Sequence, residues 1–244
     1  MNSGKSQITR IVFGAVMAAI ICVITLFRIP LGQSKVHFAN AMCLLAGLLL
    51  GPVTGGLSAG LGSALYDVLF GGYDFLNAAI TFVSKFAMAW VTGELFLLWQ
   101  KKQLKPMVFI VTSIVINTLY YLFYGILAGQ QAISIILYCL GIAIVTGFVV
   151  WLLHKLFPEA AALFPICLIG AMTYVTLYML KTWIFKMWVE PIPVDTIPGV
   201  MVAKLIPSII NAAFAFVVAP VFYKAVFPAL KATGIAKQLA AAEK

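Results

Sequence analysis

The sequence predicts an all-α polytopic membrane protein, because its composition and the arrangement of its apolar residues both fit membrane spans. The chain has 244 residues, of which 64% are hydrophobic and 9% are charged, whereas soluble domains average about 45–50% apolar and about 25% charged residues. The apolar residues form eight runs separated by charged or Pro/Gly breaks. Helices that contact lipid and one another need apolar side chains on all sides. One membrane domain over residues 1–244 fits this length.

The runs give the candidate helices in chain order. They cover residues 8–27, 36–50, 53–70, 78–99, 107–127, 133–153, 161–189 and 198–222. The first run has no small-residue cleavage site, so we interpret it as a span and not as a signal peptide. The second and third runs are joined directly by Gly51-Pro52 and are short for a ~30 Å hydrocarbon layer, which needs about 20 helical residues. We expect them to be tilted or partly re-entrant.

The positions of the lysines predict the orientation. Cytoplasmic loops of membrane proteins are enriched in Lys and Arg. An N-terminus inside the cell, with Lys5 and Arg10, also places the "KKQLK" loop at 101–105 and the lysines of the tail inside. An even number of spans then leaves both termini in the cytoplasm. The expected location is the plasma membrane, with the chain crossing the bilayer several times.

Other function classes find little support in the composition. The net charge of +9 is spread over short loops instead of forming a basic face, so nucleic acid is not an expected partner. The four cysteines stand alone in apolar runs, and His37 and His154 are predicted on opposite sides of the membrane, so no metal site is expected. With seven acids in the whole chain, a paired-carboxylate site is hard to assemble. We therefore expect that the chain is not an enzyme, that it has no catalytic residues and that it binds no cofactor.

A stripe of small residues crosses the second and third runs. Its members are four residues apart and end in a carboxylate: Gly47, Gly51, Gly55, Ala59, Ser63 and Asp67. Small residues let helix backbones approach closely in lipid. The stripe therefore indicates either tight packing inside the bundle or a face that docks or slides against a partner. Asp67 faces protein in both cases, and either structural pairing or ligand contact would account for it.

Polar residues at helical spacing predict a pocket near the outer ends of the runs. Asn77, Thr81 and Lys85 lie four apart on one face of the fourth run. Lys85 lies about two turns deep, where it snorkels outward, pairs with Asp67 or lines a pocket. The last two runs add two further polar faces at the same depth, one with Tyr174, Tyr178 and Lys181 and one with Lys204, Ser208 and Asn211. An apolar site with a few placed polar groups is typical of small-molecule binding.

Several motifs resemble one family. The stretch "KVHFANAMCLLAGLLLGPVTGGLSAGLGSALYDVLFGGYDFLNAAITFVSKFAMAWVTG" resembles the core signature of substrate-binding S components of energy-coupling-factor (ECF) vitamin transporters. Its matching parts are V-H-x-x-N/D, L-L-G-P-x-x-G-G, G-S-A-L-x-D and T-F-x-x-K-x-x-M. The segment "KLIPSIINAAFAFVVAPVFYKAVFPAL" is similar to that family's last helix. "AVMAA", with Ala15 and Ala19, resembles the Ala-x-x-x-Ala patch that docks on the coupling subunit.

The resemblance implies a receptor for a vitamin or related precursor that works with a transmembrane coupling (T) subunit and two ATPase subunits. It also implies a six-helix bundle, so the surplus runs at about 106–158 are expected to form an inserted transmembrane hairpin between core segments 1–99 and 161–230. Residues with helical spacing and residues in the motifs together give the expected ligand-binding set: His37, Asn40, Tyr66, Asp67, Tyr73, Asn77, Thr81, Lys85, Tyr178, Lys181, Lys204 and Asn211.

A stand-alone secondary transporter or channel for a small solute is the main alternative. Buried ionisable groups suit such a protein. Proton coupling normally uses acids in mid-membrane, however, and the acids of this chain lie near the ends of the runs.

Overall fold

The structure is a computed structural model that describes residues 3–31, 34–102, 132–160 and 162–236, with scattered positions between 107 and 122 and residue 239. Among the described residues, five helices are long and apolar enough to cross a membrane. The predicted all-α polytopic membrane protein is therefore confirmed. The longer helices are α1 Ser3–Leu26, α2 Ala39–Leu69, α3 Phe75–Lys102, α4 Ala132–Leu156, α5 Leu163–Ile184 and α6 Ile197–Ala232. Short helical turns cover Pro158–Ala160, Phe185–Val189 and Val194–Thr196.

A small β-hairpin between α1 and α2 was not predicted. Strands β1 Arg28–Leu31 and β2 Ser34–His37 pair antiparallel, with Arg28 opposite His37. The sequence interpretation began the second helical run at Val36, whereas Val36 lies in β2 and α2 begins at Ala39. Strands of four residues are too short to show a clear alternation of apolar and polar residues.

Helix α2 folds back on itself at Gly51. Gly51 has φ 75° and ψ −176°, which is not a helical conformation, and Pro52 has no N–H with which to continue the preceding helix. The Sγ atom of Cys43 lies 3.9 Å from Oγ of Ser63, although twenty residues of straight helix would separate them by about 30 Å. The two arms of α2, 39–50 and 52–69, therefore lie side by side, and the predicted break at Gly51-Pro52 is present.

The bundle has two distinguishable ends. The Arg10 Nη2 atom donates a hydrogen bond of 3.0 Å to the carbonyl oxygen of Leu50, so the first part of α1 lies beside the bend of α2. The rings of Phe96 and Tyr223 pack with centroids 5.4 Å apart, which places the later parts of α3 and α6 together. We call this the bend end and the opposite end the cavity end. The orientation of these ends in the membrane stays a prediction.

Helix α4 packs on the rest of the chain near its C-terminal end. Val150 and Leu153 are buried there, whereas Ile136 and Ile144 are 63% and 62% exposed. A Cβ placed on Gly147 would lie 3.6 Å from Cδ1 of Ile114, so part of the predicted run 107–127 lies against α4. Much of that run lies outside the described residues, and the inserted hairpin at about 106–158 stays a prediction.

Candidate functional site

A cavity of about 480 Å³ lies at the cavity end, among α1, α2, α3, α5 and α6. It reaches the surface at Tyr73 and Glu190, which are both exposed. Ten of the twelve residues in the predicted binding set line it: Tyr66, Asp67, Tyr73, Asn77, Thr81, Lys85, Tyr178, Lys181, Lys204 and Asn211. The structure therefore brings these side chains together, and their role in binding stays a prediction.

The glycines of α2 explain how α3 comes close enough to form one wall. A Cβ on Gly60 would lie 2.8 Å from the ring of Phe82, and a Cβ on Gly56 would lie 2.9 Å from the ring of Phe86. Real Cβ atoms essentially never show heavy-atom contacts under 3.0 Å. A larger residue at either position would therefore displace the phenylalanine ring that α3 packs against it. This close approach supports the packing interpretation of the small residues. It also holds Asp67 on α2 near the polar face of α3.

Lys85 forms the buried floor of the cavity. Its side chain is 3% exposed, so it does not snorkel outward. Its Nζ atom donates a hydrogen bond to Oδ1 of Asn40 and lies 3.6 Å from the centroid of the Tyr174 ring. Asn40 therefore lies behind the cavity lining and contacts Lys85. The side chain of His37, the twelfth predicted residue, lies outside the described part of the structure.

Two further lysines reach the cavity from the last two helices. Lys181 on α5 and Lys204 on α6 are both half-buried and line the cavity. The Nζ atom of Lys181 lies 5.2 Å from the centroid of the Phe185 ring. At the rim, Lys186 forms an ion pair of 2.6 Å with the exposed Glu190. The hydrogen bond from Lys186 holds the pKa of the Glu190 carboxyl below its usual range.

The loop before α3 is fixed by a cap. The Asp74 Oδ1 atom accepts a hydrogen bond of 2.7 Å from the backbone N–H of Asn77, which satisfies one of the amides left unpaired at a helix N-terminus. This hydrogen bond holds the pKa of the Asp74 carboxyl below its usual range. The cap fixes the start of the helix that carries the polar face of the cavity.

Sequence reasoning did not include several lining residues in the binding set. They are Thr25, Ala39, Ser63, Tyr174, Thr182, Phe185, Lys186, Glu190 and Ser208. Helical spacing does place two of them on the predicted polar faces, because Tyr174 is four residues before Tyr178 and Ser208 is four residues after Lys204. Lys186 lies in the π-helical turn Phe185–Val189, where the ordinary helical period does not apply.

A polar cavity inside an apolar helical bundle defines the chain as a membrane protein with a site suited to a small molecule. Its residues 5–163 match the model of a family described as "ECF-type riboflavin transporter, S component". The chain belongs to the S components of ECF-type transporters, whose members are the substrate-binding subunits of those transporters. Searches of curated proteins and of solved structures returned no match. The cavity residues of α5 and α6 come after the matched residues.

Proposed function

We propose that this S component captures a vitamin or a related precursor from outside the cell and delivers it together with a T subunit and two ATPase subunits. The observation that carries the proposal is the cavity of about 480 Å³, with polar side chains from five helices in an otherwise apolar bundle. Its volume lies in the range of about 300–1,000 Å³ that is common for small-molecule sites. Orientation with the cavity end outside and both termini in the cytoplasm follows from the lysine distribution.

The surface of α1 supports the proposed contact with a T subunit. Ala15 and Ala19 are exposed, and the neighbouring Val16 is 52% exposed, whereas Met17 and Ile21 pack into the core. The two alanines therefore lie on a face that the described part of the chain does not cover. A face of small and β-branched residues allows close approach of another helix in lipid.

Alanine substitutions in the cavity test the binding role. Riboflavin, the compound in the family's description, is the first probe, and mass spectrometry of small molecules released from the purified protein supplies the next. Thr81→Ala, Tyr178→Ala and Asn211→Ala should each raise Kd about 5- to 150-fold, because losing a hydrogen-bond partner in a desolvated site costs about 1–3 kcal/mol. Ile136→Ala and Ile144→Ala on the exposed side of α4 are the controls. Equal effects in both groups would contradict the proposed site.

Reconstitution separates this function from that of a stand-alone transporter or channel. Proteoliposomes with the chain alone should bind the probe without accumulating it. Accumulation should require the T subunit, both ATPases and ATP. Uptake by the chain alone would show that the coupled mechanism is wrong even if the cavity binds the solute.

A further inference from the structure

The described lining of the cavity contains more cations than anions. It has four lysines and two carboxylates: Lys85, Lys181, Lys186 and Lys204 against Asp67 and Glu190. Uncompensated charge inside a membrane protein is costly and generally indicates a functional site. The excess of positive charge therefore needs an explanation from the partners of each lysine.

Two of the four lysines are satisfied by the protein itself. Lys186 pairs with Glu190 at 2.6 Å, which uses the carboxylate at the rim. Lys85 is held by the amide oxygen of Asn40 and by the face of Tyr174. Asp67 is close enough to interact electrostatically with both Lys85 and Lys181, so one carboxylate serves the inner part of the cavity.

Lys181 and Lys204 carry the remaining positive charge. In the described part of the chain, no carboxylate lies within salt-bridge distance of either ammonium group. Because both line one cavity, their like charges repel each other. Both side chains are half-buried and line the cavity. They approach the same space from α5 and α6.

We infer that the ligand carries a carboxylate or phosphate group and that this group binds between Lys181 and Lys204. The inference rests on the proposed function, since it assigns a charge to the molecule that the cavity captures. An anionic group would offset the repulsion and accept charge-assisted hydrogen bonds from both lysines. The rings of Tyr174 and Tyr178, stacked with centroids 6.0 Å apart, lie in the same lining and offer an apolar surface to the rest of the ligand.

Two double variants with the same change in charge test the inference. The cavity variant combines Lys181→Gln and Lys204→Gln. The control combines Lys155→Gln and Lys231→Gln, which lie in the last turns of α4 and α6 and do not line the cavity. Without ligand, the cavity variant should melt at a higher temperature than the control, because binding sites hold repulsive charges at a cost in stability. A lower melting temperature for the cavity variant would overturn the inference.

Inorganic phosphate is the first probe, compared with chloride at equal ionic strength. Phosphate stabilises proteins in general, so all three proteins should melt at a somewhat higher temperature in phosphate than in chloride. The inference predicts that this rise is larger for the wild type and the control than for the cavity variant. Equal responses of all three proteins would overturn the inference. Two matched pairs then distinguish the anions: riboflavin 5′-phosphate with riboflavin for phosphate, and nicotinate with nicotinamide for carboxylate.

At least one anionic member should bind more tightly than its neutral partner, with a Kd that rises about 10- to 100-fold or more in the cavity variant. If riboflavin binds the wild type as tightly as riboflavin 5′-phosphate and also binds the cavity variant unchanged, the charge assignment is wrong while the proposed binding function stands. If the proposed function itself is wrong, the alanine variants of the cavity will bind the probe as tightly as the α4 control variants do.

Discussion

The bend of α2 makes a quantitative prediction for two glycines. A Cβ on Gly55 would lie 2.5 Å from the carbonyl oxygen of Ala46, and a Cβ on Gly93 would lie 2.6 Å from the backbone nitrogen of Pro52. Both obstacles are backbone atoms of the bend region, which no side-chain rotation can move. Gly55→Ala and Gly93→Ala should therefore separate the arms of α2 or displace α3.

The expected loss follows from two opposing contributions. Overpacking in a well-packed core costs about 1–3 kcal/mol, and the upper part of that range applies because backbone must move. Alanine regains about 1 kcal/mol of helix propensity over glycine. The net loss is about 1–2 kcal/mol for each substitution. At about 2–4 °C per kcal/mol for a chain of this size, the melting temperature should fall by roughly 2–8 °C.

Gly141→Ala is the matched control, since a Cβ at this position of α4 would have nothing within 4 Å. It should keep the gain in helix propensity and raise the melting temperature by roughly 2–4 °C. The assay is thermal unfolding of the three variants and the wild type in one detergent, followed by circular dichroism. If Gly55→Ala or Gly93→Ala melts at or above the temperature of Gly141→Ala, the close packing at the bend is not what requires glycine.

Three further predictions concern coupling, acid stability and topology. Ala15→Trp with Ala19→Trp should leave Kd near the wild-type value and abolish copurification with the T subunit; parallel loss of binding would instead indicate internal packing. The hydrogen bond from Asn77 lowers the pKa of Asp74 in the folded protein, so its stabilisation is present above the unfolded value of about 3.9 and is lost as the pH falls through the folded pKa. The melting temperatures of wild type and Asp74→Ala should therefore differ at neutral pH and converge in acid. Cysteine labelling should find position 102 inside and position 74 outside, and an external position 102 would contradict the orientation.

Local sequence signals predicted the helices and the break at Gly51-Pro52, because apolar runs and a proline report directly on backbone structure. Other helix boundaries depend on residues beyond the apolar run itself. The last apolar run ends at Phe222, before Lys224, yet α6 continues to Ala232. A charged residue limits the apolar part of a span, but it does not stop the helix. The hairpin of β1 and β2 depends on pairing between segments, which a single short strand does not reveal.

The cavity lining was predictable where one helix carries several of its residues. Asn77, Thr81 and Lys85 are four residues apart, and all three line the cavity. Asn40 was placed in the same set, but it contacts Lys85 behind the lining. Its position depends on how α2 and α3 pack, which spacing within one helix does not specify.

The glycines and the carboxylate of α2 serve different parts of one arrangement. A straight helix of 31 residues would extend about 46 Å, longer than the hydrocarbon layer of about 30 Å. The bend at Gly51 instead gives two adjacent short arms, and small residues let α3 pack against them. Asp67 is thereby carried back to the cavity end, where its charge interacts with Lys85 and Lys181. Glycine supplies the close backbone packing, and that packing brings Asp67 to the cluster of lysines in the cavity.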